Sequence, residues 1–273
     1  MRTYINLRKS EKSHANWVLR QLGKLLDAGE CRREQTIPAA TDLLIQWGFK
    51  PTRSLISAIA AGIPYVIIDL GYIDATREKR FSISINGLHG TAWRDPKVLD
   101  RSPRLTPTCR DWRSGAGSKV IVIGQMPLDQ SLRGQDIEAW AGRVAVQAAE
   151  AFKRPVIKRP HPKMLNTWEP FLEPLERVLE DAYAVVTWTS TAAIGSVLRG
   201  IPTVAMHPGN MAYRMAAHDM TLRTPPGRDA WLHEICWRDW GWSPDELDQL
   251  AAYIAEIYPS FKDEPLDSPR NLL

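Results

Sequence analysis

The chain has 273 residues, of which 44% are hydrophobic and 24% charged, with 35 Lys and Arg against 31 Asp and Glu. This length allows two lobes of roughly 100–150 residues each, and the composition excludes wholesale disorder. No apolar run of roughly 18 residues and no apolar amino-terminal region occur, so we expect neither a membrane span nor a secretory signal.

The first half of the chain predicts two helices and three strands. Apolar residues at helical spacing predict a helix over 14–27. Apolar runs at 41–47 and 65–69 predict buried strands, and an alternating run at 81–85 predicts a half-exposed strand. Between the first two strands we expect a helix that begins after Thr52 and ends at Gly62. The Pro-, Ser- and Gly-rich stretch 101–118 predicts an exposed linker.

The second half alternates strands with helices. It predicts strands at 119–124, 155–160, 182–188 and 201–206, and helices at 135–152, 168–181, 190–200 and 243–258. This alternation is typical of βαβ units and therefore of parallel sheets. The strands are apolar throughout, as expected when helices cover both faces.

Two segments of the chain resemble each other. Residues 54–73 and 192–211 both read as a helix of small residues, then Gly-Ile-Pro, then a short strand and a Gly-containing loop. Gly62 and Gly200 are expected to end their helices in the left-handed conformation. We therefore predict an α/β protein with two Rossmann-like lobes, residues 1–117 and 118–273, whose parallel sheets face a central cleft that binds the ligands.

Charge is divided unevenly between the two predicted lobes. Residues 1–117 hold 19 Lys and Arg against 11 Asp and Glu, whereas residues 118–273 hold 16 against 20. A basic first lobe indicates a polyanionic partner such as a nucleic acid. Scattered, solvated surface charge is an equally weighted alternative.

Polar and cationic residues follow the strands of the second lobe. The segment 157–163 combines three cations with a histidine that two prolines hold rigid, a set that suits a diphosphate. The hydroxyl-rich turn 189–191 opens a helix, where an anion is also favoured, although ordinary helix capping is the alternative. The residues of this predicted anion site are Gly124, Gln125, Lys158, Arg159, His161, Thr189, Ser190, Thr191, Asn210 and Met211.

The first lobe supplies two candidate general bases. Asp69 follows the buried strand directly, and Asp74 lies in the loop after it. For Asp74, a solvated loop position is the alternative. The chain contains no HExxH, no paired CxxC, no GxSxG at a strand end and no GxGxxG, so the sequence predicts no metal centre and no dinucleotide cofactor.

With these residues in view, the chain resembles glycosyltransferases of the GT-B type. The RPHP segment after a strand is similar to the His-Pro loop of bacterial transferases for capsular sugars, sialic acid or Kdo. The TST turn with the following RGIPTVAM is similar to the donor lobe of this type. The pieces DLGYID, SISINGLHG and RDAWLHEICWRDWGWSPDEL further resemble glycosyltransferase-like proteins encoded by phages, some of which modify hydroxymethylated bases in DNA.

The resemblance implies a metal-independent transferase that moves a sugar from a nucleotide-sugar donor, with UDP as the expected nucleotide and no further cofactor. The acceptor would be a hydroxyl, and DNA is the acceptor that the phage resemblance implies; the protein would then work in the host cytoplasm. Acceptor contacts are expected from Tyr72, Arg77, Arg80 and Asn86. Two alternatives stay open: a nucleotide- or nucleic-acid-binding protein without transfer activity, and a transferase acting on surface glycans. The oligomeric state is not predicted.

Overall fold

The chain forms two compact units. The computed structural model describes residues 1–10, 13–73, 79–113, 115–161, 164 and 173–267. One unit combines Met1–Leu105 with His233–Leu273, and the other is Thr106–Leu232. These units differ from the predicted lobes in two places, because residues 106–117 belong to the second unit and the carboxyl-terminal segment belongs to the first.

A mixed sheet forms the centre of the first unit. Its strands, within the described ranges, are β1 (Thr3–Leu7), β2 (Gly29–Arg32), β3 (Leu43–Trp47), β4 (Tyr65–Leu70), β5 (Arg80–Ile85) and β10 (Asp239–Gly241). They lie in the order β10-β5-β4-β3-β1-β2. The pairs from β2 to β4 are parallel, but β5 runs antiparallel to both β4 and β10, a departure from the predicted all-parallel sheet.

Helices cover both faces of this sheet. α1 (His14–Leu25) begins at Ser13, whose side chain caps it, and α7 (Pro244–Phe261) begins at the Ser243 cap. α1 and α7 pack with one another, and their apolar residues share one core cluster with β1, β3 and β4. α2 (Arg53–Ala60) contributes Leu55 and Ala58 to a separate cluster on the other face.

A four-stranded parallel sheet forms the centre of the second unit. Its described strands are β6 (Lys119–Ile123), β7 (Val156–Arg159), β8 (Ala182–Thr187) and β9 (Thr203–Ala205), in the order β7-β6-β8-β9. α3 (Ile137–Phe152) packs on one face. α4 (Leu175–Glu180) and α5 (Ala192–Leu198) contribute to the core cluster of the other face.

The parallel parts of the two sheets share one topology. The order β2-β1-β3-β4 of the first unit matches the order β7-β6-β8-β9 of the second. The repeated Gly-Ile-Pro segments occupy equivalent places, since they join α2 to β4 and α5 to β9. Gly62 and Gly200 have φ angles of 67° and 70°, so both adopt the predicted left-handed conformation.

The sequence missed three strands and one helix. β1 and β2 carry polar residues among their apolar ones, and β10 has only three residues. α6 (Arg228–Arg238) has almost no amphipathic pattern, so its spacing gave no signal. β5 was expected to be half exposed, yet all six of its residues are buried because β4 and β10 flank it and the helices cover it.

The charge imbalance between the two predicted lobes is not found between the two observed units. The acidic residues after Leu232 belong to the first unit, which then holds 20 Lys and Arg against 19 Asp and Glu, while the second holds 15 against 12. The expectation of a strongly basic lobe for a polyanion is therefore not met. Over the described ranges, no helix combines the length and apolar character that crossing a membrane requires.

Candidate functional site

The second unit brings several predicted residues together at the carboxyl edge of its sheet. Gln125 follows β6 and Thr189 follows β8, and these two strands flank the point where the strand order reverses. Thr189 donates its backbone N–H to Oε1 of Gln125 at 2.9 Å, and its hydroxyl lies 3.0 Å from the same oxygen. Ligands of open α/β sheets bind at such a point, so this edge is the candidate site.

A buried network fixes this edge. Nε2 of Gln125 donates to the hydroxyl of Ser131 at 3.1 Å, and that hydroxyl donates to Asp129 at 2.8 Å. Since a hydroxyl carries a single hydrogen, the 2.8 Å contact between Ser131 and Thr189 is donated by Thr189 when Ser131 donates to Asp129. Gln125 and Thr189 are thus occupied within the protein. Sequence reasoning missed Ser131, which lies in the short 3-10 helix Gln130–Leu132, and Asp129, which caps that helix, because neither residue follows a strand directly.

The turn that this network holds presents two hydroxyls. Ser190 is half-buried and Thr191 is exposed. Within the described part of the chain, Thr191 makes no capping hydrogen bond with its side chain, and the hydroxyl of Ser190 accepts a long 3.3 Å bond from the N–H of Ala192. Both side chains therefore have hydrogen-bonding capacity left for a ligand.

Asn210 and Met211 are placed next to this turn but are turned inward. Asn210 is 1% exposed, donates to the carbonyl of Trp188 at 3.2 Å and accepts from the N–H of Ala212 at 2.8 Å. Met211 is buried, and its carbonyl accepts from the indole of Trp231. Contrary to the expectation of a ligand contact, the amide of Asn210 ties the loop after β9 to the turn after β8.

The predicted cationic segment lies beside β6. Gly124 donates its N–H to the carbonyl of Arg159 at 2.8 Å, which joins the ends of β6 and β7. Arg159 is buried and donates to the carbonyl of Glu173 at 2.7 Å; burial lowers the pKa of its guanidinium, and Glu176 and Glu173 counteract this effect. His161 is half-buried and Lys158 is exposed.

In the first unit, Asp69 lies at the end of β4. It is half-buried, and its Oδ1 accepts the N–H of Leu70 at 2.8 Å. In the sheet register it lies opposite Ser82, whose hydroxyl donates to the carbonyl of Leu70. The second candidate base, Asp74, and the predicted acceptor contact Arg77 lie outside the described residues.

The other predicted acceptor contacts are built into the first unit. Arg80 is buried and forms an ion pair with fully buried Asp239. The backbone N–H of Tyr72 donates to the same carboxylate at 2.5 Å. Asn86 accepts from the N–H of Tyr65 and donates to the carbonyl of Phe261, at 3.0 and 2.9 Å. The side chains of Arg80 and Asn86 and the backbone of Tyr72 fasten the carboxyl-terminal segment to the sheet, which is a structural role that the sequence did not reveal.

A second buried polar cluster lies at the equivalent edge of the first unit. The Nδ2 atom of Asn6, at the end of β1, lies 2.8 Å from Oε1 of Gln46 in β3 and 2.5 Å from the hydroxyl of Ser54 in α2. The hydroxyl of Thr52 donates to Gln46 at 2.9 Å and caps α2 by accepting from Leu55. Both units therefore have a buried polar cluster where the strand order reverses.

The fold is similar to that of two solved transferases. The Thermosulfurimonas dismutans KpsC beta Kdo 2,4 transferase matches 93% of this chain and 98% of its own, with a TM-score of 0.57 and 14% sequence identity. The KpsC beta Kdo 2,7 transferase of the same organism matches 92% of this chain and 99% of its own, with a TM-score of 0.52 and 12% identity. No protein-family model and no curated protein matches the chain. Over nearly its whole length, the chain thus has the fold of these two Kdo transferases.

Proposed function

We propose that the protein is a glycosyltransferase that moves a sugar from a nucleotide-sugar donor to an acceptor hydroxyl. The main support is the arrangement of strand ends in the second unit. There, the Gln125–Thr189 network holds the hydroxyls of Ser190 and Thr191 at the point where the strand order reverses. The fold shared with two Kdo transferases supports the same reaction class.

In the proposed reaction, the acceptor oxygen attacks the anomeric carbon of the donor. The bond from that carbon to the phosphate oxygen breaks, and the acceptor proton passes to the carboxylate of Asp69. The leaving nucleotide takes the electron pair. Its negative charge is stabilised by His161, by the hydroxyls of Ser190 and Thr191 and by the nearby cations Lys158 and Arg159. These groups supply the positive charge and hydrogen bonds that a metal ion would otherwise provide, so we propose metal-independent transfer.

For the acceptor, a saccharide is the better supported candidate. Both structural neighbours carry Kdo transfer in their names, and the near-neutral first unit does not show the excess of cations that had indicated a polyanionic partner. We therefore propose that the protein acts in glycan synthesis, and Kdo-type acidic sugars are the first class of substrate to test. A DNA acceptor is retained as an outcome of the experiment.

The test is the melting temperature of the protein with UDP, CMP, GDP, ADP and dTDP, with and without duplex DNA. A ligand that binds only the folded state raises the melting temperature. One nucleotide is expected to raise it, and the double variant S190A/T191A is expected to lose the effect. The matched control T106A/T108A removes two exposed hydroxyls of the same unit and should retain it. Stabilisation by DNA but by no nucleotide would instead support a nucleic-acid-binding protein.

The reaction itself needs a second assay. Incubation with the stabilising nucleotide's sugar conjugates should give hydrolysis or transfer, unchanged by EDTA. Nucleotide binding without hydrolysis or transfer would indicate a nucleotide-binding protein and would contradict the transferase proposal.

A further inference from the structure

Two guanidinium groups lie at the carboxyl edge of the first unit. Arg8 directly follows β1, and Arg33 directly follows β2. In the parallel register Leu7 is opposite Arg32, and each is the last residue of its strand, so Arg8 and Arg33 follow adjacent strand ends. The positive charge of Arg8 acts on the guanidinium of Arg33, so the two cations lie within electrostatic range of each other.

Arg33 extends across the end of β1. Its terminal nitrogen donates to the carbonyl of Trp47 at 2.5 Å, and Trp47 ends β3 on the far side of β1. Nε of Arg33 is buried and has no hydrogen-bond partner among the described residues. A buried N–H that lacks a partner destabilises the folded state, so this donor is set up for an acceptor that the protein does not supply.

No described carboxylate neutralises these cations. Burial lowers the pKa of Arg33, and the positive charge of Arg8 lowers it further; no acidic group acts in the opposite direction. Within the described part of the chain, the side chain of Arg8 has no ion pair or hydrogen bond. Like charges held together without a counter-charge favour the binding of an anion.

The backbone of both arginines is fixed. Asn16 is fully buried; it accepts from the N–H of Arg8 at 2.8 Å and donates to the carbonyl of the same residue at 2.9 Å. The carbonyl of Arg33 accepts from the N–H of Arg53 at 2.8 Å. A site whose backbone is held in this way loses little backbone entropy on binding.

We propose that Arg8 and Arg33 form an oxyanion-binding site for a carboxylate or phosphate group. The site lies at the strand ends that correspond to those of Gly124 and Arg159 in the second unit, because β1 and β2 correspond to β6 and β7. Planar guanidinium groups bind both kinds of oxyanion through paired N–H donors. If the proposed transferase function holds, on which this last step rests, the group belongs to an acidic acceptor.

The direct test is a melting-temperature titration with sodium phosphate and with sodium acetate, each compared with sodium chloride at equal ionic strength. Phosphate also stabilises proteins non-specifically, so the measured quantity is the difference between wild type and variants. R8Q is the primary variant, because the side chain of Arg8 supports nothing else in the described structure. K24Q is the matched control, since Lys24 is an exposed cation near the other end of α1.

Wild type and K24Q should show saturable stabilisation by phosphate, acetate or both, and the anion that acts identifies the chemistry. R8Q and R33Q should need about tenfold or more of that anion for half-saturation. Equal half-saturation in all four proteins, or no stabilisation beyond chloride, would overturn the site.

The acceptor assignment has its own measurement. In a transfer assay, R8Q should raise KM for an acidic acceptor and leave KM for the donor unchanged. An unchanged acceptor KM would refute the assignment. Because the anion titration needs no turnover, it can succeed even where the transferase function fails, and the two proposals are tested separately.

Discussion

The backbone N–H of Thr189 donates to Oε1 of Gln125 at 2.9 Å, and the hydroxyl of Thr189 lies 3.0 Å from the same oxygen. This pair connects the ends of β6 and β8 across 64 residues of sequence. Because Gln125 is only 5% exposed, water does not replace its bonds when its amide is removed. The pair therefore holds the turn that carries the hydroxyls of Ser190 and Thr191.

Replacing Gln125 by Ala is expected to lower the free energy of unfolding of the second unit by about 2–3 kcal/mol, because the N–H of Thr189 and the hydroxyl of Ser131 lose a buried partner. Urea unfolding measures the loss. The control Q147A changes an exposed glutamine of α3 and should stay within about 0.5 kcal/mol of wild type. Equal effects of the two substitutions would contradict the structural role of the network.

We predict that replacing the glycine by alanine lowers the free energy of unfolding by different amounts in the two Gly-Ile-Pro segments. A Cβ atom at Gly62 meets nothing within 4 Å, so G62A should cost only the strain of a left-handed alanine, about 1 kcal/mol. At Gly200 the added atom would lie 1.9 Å from the carbonyl oxygen of Asp111. G200A should therefore cost about 3 kcal/mol or more, because the backbone must move.

Thermal or chemical unfolding of the two alanine variants provides the comparison. Gly200 also accepts a hydrogen bond from the N–H of Arg113 at 2.7 Å, so its displacement disturbs the segment that precedes β6. Similar losses in G62A and G200A would show that this close approach does not contribute to stability.

We predict that the stability of the first unit depends on pH through the carboxylate of Glu246. Burial raises the pKa of Glu246, but the N–H of Gly241 and the charges of Arg80 and Arg104 outweigh burial, so the pKa lies below its ordinary value of 4.5. A carboxyl group with a lowered pKa contributes stability above about pH 4.5 and loses that contribution as the pH falls through the folded-state pKa.

At pH 7, E246Q should lower the free energy of unfolding by about 1 kcal/mol, a value reduced by the partial exposure of the group. As the pH falls below about 4.5, the difference between E246Q and wild type should shrink. Unfolding curves at several pH values test this, with E264Q as an exposed control. A difference that stays constant with pH would contradict the assignment.

The sequence predicted those elements whose pattern is local. The apolar runs of β3, β4, β6 and β8 were identified because helices bury both faces of these strands, and the polar residues at strand ends followed from the βαβ topology. The roles of individual side chains were harder to predict. Arg80 was expected to contact the acceptor, yet it pairs with Asp239, 159 residues away, and nothing in the local sequence indicates this pairing.

The same limit applies within the candidate site. Asn210 was expected to contact a ligand, but its amide bonds to the carbonyl of Trp188, 22 residues earlier. Arg8 and Arg33 were not selected, because β1 and β2 were not recognised and the register that places the two arginines after adjacent strand ends was therefore unknown. Strand ends were predictable from periodicity, whereas the groups that remain available for a ligand required the three-dimensional contacts.

Asp69 is the residue on which the proposed chemistry depends most directly. The substitution D69N keeps the oxygen that accepts the N–H of Leu70 and removes the group that takes up a proton, so folding and nucleotide binding should be unchanged. Transfer should fall by about 10²–10⁴-fold, the range that a general base contributes. The control D100N alters an exposed carboxylate of the same unit and should retain full turnover. Initial rates at saturating donor measure the loss of transfer, and the nucleotide-induced melting shift measures donor binding, so the two effects are separated. Wild-type turnover of D69N would exclude Asp69 as the general base, because a transfer that proceeds equally well without this carboxylate has another acceptor for the proton.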